Sequence, residues 1–442
     1  MSPLPPPPSR PTWVYGEARL ARTVGRPVSK FLQVEAAGGL VLLGATIAAL
    51  VWANSPWAAS YSALWQTDLA LTIGNYQLSA DLGHWINDGL MTVFFFVVGM
   101  EIKQEIVVGE LSDRRNATLP VLAAAGGMVV PALIYVALNW GGRGIEGWGI
   151  PMATDIAFAV GILALLGDRV PTSLKVLLLS LAIVDAIGAI AVIALVYTNQ
   201  INQFWLLGAV LGIILVVVLR RARVWYLPVY VVLGTAIWWA TFESGIHATI
   251  AGVILGLLTP ARPLLPSPQA EQIAQRLSTD TAVTLRTLRQ LRFELRESVS
   301  VSERLSGALH PWSSYLILPL FALANAGIVF TGPALRNAVG SAITIGVILG
   351  LLVGKVVGVF GASWLAVRWG LGRLPDGVNW RHIFGVSILA GIGFTVALFI
   401  TDLAFIDLPS QSNSKIGIMF ASAVAAVGAV VVLRGAGSPD QE

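Results

Sequence analysis

The chain has 442 residues, of which 56% are hydrophobic and 12% charged, and its mean hydropathy is +0.76. Soluble domains carry about 25% charged residues, so the composition excludes a soluble globular protein and points to an all-α polytopic membrane protein. The net charge of +4 is small and confined to loops, which argues against nucleic acid, and with no cysteine there is neither a disulfide framework nor a thiolate metal site.

Residues 1–31 form a Pro- and Arg-rich tail without the apolar core of a cleavable signal peptide. At about 17–25 apolar residues per span, transmembrane segments one to twelve follow. They lie near 32–53, 84–104, 117–139, 150–167, 172–198, 203–220, 224–242, 245–260, 309–330, 338–367, 382–403 and 413–434. They make one domain over 32–434, closed by a tail at 435–442.

Positive charge gathers on alternate connections. One set holds Arg10 to Lys30, Lys103, Arg114, Arg115, Arg169, Arg220, Arg221 and Arg223, then the seven arginines between 262 and 308, then Arg368, Arg373, Arg381 and Arg434. On the other side 54–83 has none and 140–149 only Arg143. The positive-inside rule therefore places both termini in the cytoplasm. The external connection 54–83 contains two alternating runs about Gly74-Asn75 and reads as a small β-hairpin. The long cytoplasmic loop 262–308 sets Leu285, Leu288, Leu291 and Leu295 opposite Arg286, Arg289, Arg292 and Arg296, either a solvated helix face or a membrane-surface attachment.

Segment five, Val176 to Tyr197, carries one charge, Asp185. A carboxylate in mid-span costs at least ~2.5 kcal/mol on insertion scales, so it is either satisfied structurally by neighbouring helices or kept for function. Segment four has Gly149 and Pro151 just before Thr154-Asp155, and segment eleven is interrupted by Gly385, Gly391 and Gly393 before Thr395. Loosened backbone is tolerated at membrane depth only beside protein or trapped water, and paired interruptions in two halves point to a transporter's midplane site. Asp155 is placed to compensate helix N-terminal dipoles, to bind cargo, or both.

Segment ten buries Lys355 between Gly354 and Gly358. A mid-span lysine either pairs with a carboxylate or gives up its charge, and Asp185 is the natural partner, as a fixed lock or as a switch. Segment two begins near Asp88 and ends with Glu101 and Glu105 on one face, either a solvated helix end or an acidic funnel for cations. His247 opens segment eight, as an interfacial histidine or a proton sensor; the four histidines make no metal-ligand spacing.

INDGLMTVFFFVVGMEIKQE (86–105), ATDIAFA (153–159), LAIVDAIGAIAVIALVYT (181–198), SGIHATIAGVI (244–254), LHPWSSYLILPLFALANAGI (309–328), GLLVGKVVG (350–358) and LAGIGFTVALFI (389–400) together resemble one family, the NhaA sodium/proton antiporters. The resemblance covers about 32–405 in the family's order. It implies twelve helices with inverted repeats, segments four and eleven unwound and crossing at the midplane, and a homodimer through the external hairpin. It also implies alternating access for Na+ or Li+ against H+ in a bacterial inner membrane, with no cofactor and no enzymatic activity. Thr154 and Asp155 match the unwound segment, Asp185 the first of the family's paired aspartates, and Lys355 the lysine that pairs with it. Asp88, Glu101, Glu105 and His247 match positions linked to structure or to pH response at a cytoplasmic funnel.

One departure is serious: where the family has Asp-Asp, this chain has Asp185-Ala186, and Ser306 stands where many members have an acid. A cation in the membrane needs several oxygens and at least one full charge. Asp185 supplies the charge; Asp155, Thr154, free carbonyls and water supply the remaining oxygens. With one carboxylate paired to Lys355, sodium displaces the ammonium, the freed lysine sheds one proton, and exchange is one for one. The alternative is a transport-impaired member. An intramembrane aspartyl protease is disfavoured, because the GxGD element is missing and Lys355 would disrupt a shared-proton dyad. A passive channel needs a more polar lining than these segments offer.

Overall fold

The computed structural model describes residues 37–73, 76–198, 201–222, 224, 226–263 and 297–436. The Pro/Arg tail, the Gly74-Asn75 turn, the Leu/Arg row at 285–296 and all but the start of the C-terminal tail lie outside these residues. Among the described residues six helices are long and apolar enough to cross a membrane, or up to eight if each of two bent pairs counts as one span. The chain is thus an all-α membrane protein with one small sheet.

The first helix, α1 (Ala37–Ala53), turns sharply into α2 (Ala58–Trp65). The turn is pinned by Tyr61, whose hydroxyl lies 2.8 Å from the carbonyls of Leu323 and Ala324. The strands β1 (Asp68–Ile73) and β2 (Tyr76–Asp81) pair antiparallel from Asp68↔Asp81 to Ile73↔Tyr76. A π-helical turn, Trp85–Leu90, then leads into α3 (Met91–Val107), so Asp88 lies at the hairpin end of the bundle and Glu105 at the opposite end.

α4 (Arg114–Asn139) returns to the hairpin end, with its N-terminus capped by the Asp113 carboxylate. A 3₁₀ stretch, Arg143–Met152, reaches inward and stops; Ala153, Thr154 and Asp155 have no helical structure; α5 (Ile156–Leu166) continues. α6 (Thr172–Val196), α7 (Gln203–Arg221), α8 (Leu227–Glu243) and α9 (Thr249–Leu258) follow. α10 (Val301–Trp312) starts earlier than the hydropathy suggests, because Ser300 caps it, and runs through a π-helical turn into α11 (Leu318–Asn325).

A short surface helix α12 (Gly332–Gly340) precedes α13 (Ala342–Leu349), which continues through a π-helical turn, Gly350–Gly354, into α14 (Lys355–Arg368). Together these last three make a 27-residue span with Lys355 at its centre. α15 (Trp380–Leu389) and α16 (Phe394–Ala404) are bent by 42° at the break between them, and α17 (Leu408–Arg434) ends the described chain.

In lipid, helices associate where small residues let backbones approach. α3 meets α9 this way: a Cβ on Gly99 would stand 2.6 Å from the Val253 carbonyl. α4 meets α14 similarly, since a Cβ on Gly126 would stand 2.6 Å from the Ala362 Cβ. The second packing matters to the site, because it presses α14, and with it Lys355, into the bundle interior.

Candidate functional site

The two interruptions, 153–155 and 390–393, lie against each other and are stitched by hydrogen bonds. The Asp155 amide donates to the Ile392 carbonyl at 2.7 Å, and the Thr154 hydroxyl lies 3.0 Å from the Ala390 carbonyl. The Asp155 carboxylate serves two helices at once. Its Oδ1 accepts from the Phe158 amide at the start of α5 (3.0 Å); its Oδ2 accepts from the Thr395 amide (3.0 Å) and hydroxyl (2.6 Å) at the start of α16. Helix N-termini carry unsatisfied amides and partial positive charge, so one buried anion between two of them satisfies both. Asp155 and Thr395 are each 1% exposed, so water does not replace these bonds.

Beside this junction α6 delivers Asp185 and α14 delivers Lys355. Lys355 Nζ lies 2.5 Å from Asp185 Oδ2 and 3.0 Å from the Thr154 hydroxyl, which itself lies 2.6 Å from Asp185 Oδ2. The hydroxyl has one proton to give, and the shorter contact, to the carboxylate, takes it; the ammonium donates to the hydroxyl oxygen. Lys355 is 0% and Asp185 1% exposed, which makes this a fully buried charge pair. Removing either partner alone from such a pair leaves an uncompensated charge, at a cost of about 3–5 kcal/mol. All of this chemistry falls on Oδ2. Asp185 Oδ1 is buried and has no hydrogen-bond partner among the described residues.

A cavity of about 390 Å³ reaches Asp185. Its floor is Thr154, Asp155, Asp185, Ala186 and Thr395; its walls toward the end opposite the hairpin carry Glu101, Gln104, Glu105, Ser306 and His310. Two bonds hold this mouth. Ser180 on α6 donates to Glu105 Oε1 at 2.9 Å, and Gln104 donates to Ser302 on α10 at 2.9 Å. On the hairpin side of Glu101 along α3, Phe95 on the cavity wall packs at a tilt against Phe399 (5.4 Å between centroids), which meets Phe321 (6.2 Å). Phe399 and Phe321 are 1% and 0% exposed, so this packing is buried apolar surface.

The structure therefore brings together Asp185, Lys355, Thr154 and Asp155, and sets Glu101 and Glu105 on the same cavity. Asp88 and His247, grouped with those glutamates by resemblance to a pH-responsive funnel, do not line it. Asp88 precedes α3 by a π-helical turn and lies about 20 Å of helix from Glu101. His247 lies between α8 and α9, where its Nε2 donates to the Tyr197 carbonyl at 2.5 Å, which keeps the C-terminal end of α6 in place. Ser180 and the Ala390 and Ile392 carbonyls are site groups that sequence reasoning did not single out, and Thr395, named there only as following an interruption, is a partner of Asp155.

A family model described as Na+/H+ antiporter 1 matches residues 29–433. The chain is 49% identical over 421 residues to the Na(+)/H(+) antiporter NhaA of Rhodopirellula baltica, covering 92% of this chain and 93% of that one. It is 48% identical over 433 residues to Na(+)/H(+) antiporter NhaA 2 of Sorangium cellulosum, covering 96% and 92%. It is 45% identical over 414 residues to Na(+)/H(+) antiporter NhaA 3 of Frankia alni, covering 93% and 89%.

Proposed function

This chain belongs to the Na+/H+ antiporter 1 family, and from that premise we propose that it exchanges Na+, or Li+, for protons with Asp185 as the anion for which both cargoes compete. It is a multi-pass transporter of the bacterial inner membrane. The observation that carries the mechanism is the division of labour on one carboxylate of a cavity-lining residue: Oδ2 is held by Lys355 and Thr154, while Oδ1 has no hydrogen-bond partner among the described residues. A cation that reaches Asp185 takes the unbonded Oδ1. Once it neutralises the carboxylate, the ammonium, itself 0% exposed, has no counter-charge, and it sheds a proton. When the cation leaves, reprotonated Lys355 returns to Asp185. Asp155 plays no direct part in holding cargo, since both its oxygens accept bonds from α5 and α16; its work is to join the two interruptions into one body.

The finer architecture follows the same reading. Twelve helices in two inverted repeats, with the two interrupted spans crossing at the midplane and both termini cytoplasmic, fit the paired breaks and the arginine distribution of the loops. In this topology the open mouth with Glu101 and Glu105 faces the cytoplasm, and Phe95, Phe399 and Phe321 form the closed external side. The two-stranded hairpin, with one free strand edge on each side, is suited to pair with its copy in a homodimer. The transport-impaired reading of Ala186 is not favoured, because relatives matching more than nine-tenths of this chain are named as antiporters.

The test is sodium-driven proton flux in liposomes holding the full chain. The unaltered protein is expected to exchange and Asp185→Asn to lose exchange while still forming the bundle. Exchange that survives Asp185→Asn overturns the proposal.

A further inference from the structure

Ala186 presents a methyl group to the cavity beside Asp185, so the floor offers one exchangeable carboxylate whose charge Lys355 already matches. Three other acids line the same space, and hydrogen bonding separates them. Asp155 has both oxygens committed to helix N-termini. Glu105 is tied through Oε1 to the Ser180 hydroxyl and the Glu110 amide. Glu101 has no bonding partner among the described residues, although its side chain is on the cavity wall.

Glu101 is also well placed. Val98, one turn earlier on the same face of α3, packs in a cluster with Ile183 and Ala186, so the α3 face that carries Glu101 is the face laid against position 186. The titratable groups that line the cavity with it are Glu105 on α3, Asp155 in the interruption before α5, Asp185 on α6 and His310 on α10; α9, packed along α3, contributes none. Asp185, whose Oδ1 is buried and unbonded among the described residues, lines the same volume. Water in the cavity is enough to link two carboxyl groups that share it.

We propose that Glu101 is the second proton carrier of the exchange cycle, taking the place of the carboxylate that position 186 lacks. This rests on the exchange reading above and deepens it. In the proton-loaded state Lys355 is an ammonium, Asp185 a carboxylate and Glu101 a neutral acid, and the three sum to zero. When one sodium ion binds at Asp185, Lys355 gives up one proton and Glu101 gives up another, so the loaded site carries one net negative charge. Two protons move against one sodium, and the cycle carries charge across the membrane. Without Glu101 the two states are equally charged and exchange is electrically silent.

The experiment uses the full chain in liposomes, with the membrane potential set by a potassium gradient and valinomycin, and reads sodium-driven proton flux. The unaltered chain is expected to respond to the imposed potential and to move two protons per sodium. Glu101→Gln is expected to fall to one proton per sodium and lose its response to potential, and adding Ala186→Asp to that variant should restore both. A merely structural role for Glu101 would lower the rate and leave the ratio alone. The proposal is overturned if the unaltered chain exchanges without regard to potential, or if Glu101→Gln keeps the original ratio. Should Glu101→Gln transport nothing, a double variant that also transports nothing while Ala186→Asp alone works overturns it equally, whereas a double variant that transports supports it. Absence of any sodium-coupled flux in the unaltered chain overturns the exchange reading itself.

Discussion

Replacing Lys355 by Met tests whether cation and ammonium occupy the same carboxylate. Met keeps the length of the side chain and fills most of its volume, so the packing of α14 on α4 is retained while the charge goes. Asp185, 1% exposed, is left with the 2.6 Å bond from Thr154 and no counter-charge. Breaking a buried pair in this way costs about 3–5 kcal/mol. The loss appears as a lower melting temperature in detergent with choline chloride as the only salt. Sodium should then restore stability, because it binds the folded site and not the unfolded chain. At a hundred times its dissociation constant the recovery is about 2.7 kcal/mol. The unaltered protein should gain less from the same sodium, since there the ion must first displace the ammonium. Asp185→Asn added to Lys355→Met should melt higher than Lys355→Met alone in choline and show no sodium effect. If Lys355→Met melts like the unaltered chain and ignores sodium, the two charges do not depend on each other and the competition argument fails.

Three further outcomes follow from the geometry. Thr154→Val deletes a hydroxyl that bonds a charged group, worth about 1.5–3 kcal/mol, so sodium half-saturation should rise roughly ten- to a hundredfold in flux assays with little loss of fold. Thr395→Val frees one Asp155 oxygen from its 2.6 Å partner and should lower the melting temperature and maximal rate together, with Thr395→Ser close to the unaltered chain. Gly358→Val forces side-chain atoms against the Gly126 backbone; overpacking of this kind costs about 1–3 kcal/mol, and the displaced α14 should weaken the Lys355–Asp185 contact, read as reduced exchange at every sodium concentration.

What the sequence reveals about this site depends on how conspicuous each residue is against an apolar background. Asp185 and Lys355 stand out because a charge at mid-span is costly, and each has few partners to choose from. The interruptions at 153–155 and 390–393 stand out because Gly and Pro cluster there. Thr395 and Ser180 do not, because Ser and Thr in apolar helices ordinarily bond their own preceding turn. Thr46, Thr241, Ser363 and Thr401 do so here, each reaching the carbonyl four residues back. Only tertiary contact distinguishes Ser180, which reaches across to Glu105. The choice between dipole compensation and cargo for Asp155 likewise turns on Thr395, 240 residues away. Asp88 and His247 carry titratable side chains but are not among the residues that line this cavity. The helices α2 and α12 escape a hydropathy reading because each is under ten residues long.

Proton release on sodium binding tests the central claim most directly. Purified protein in weakly buffered detergent, at mildly alkaline pH, is mixed with sodium chloride or choline chloride, and a pH indicator reads the change. Sodium should acidify the solution in proportion to the sites filled, choline should not, and Asp185→Asn should give no signal. Sodium retained by the protein without any proton released, or an unchanged signal from Asp185→Asn, would contradict the account.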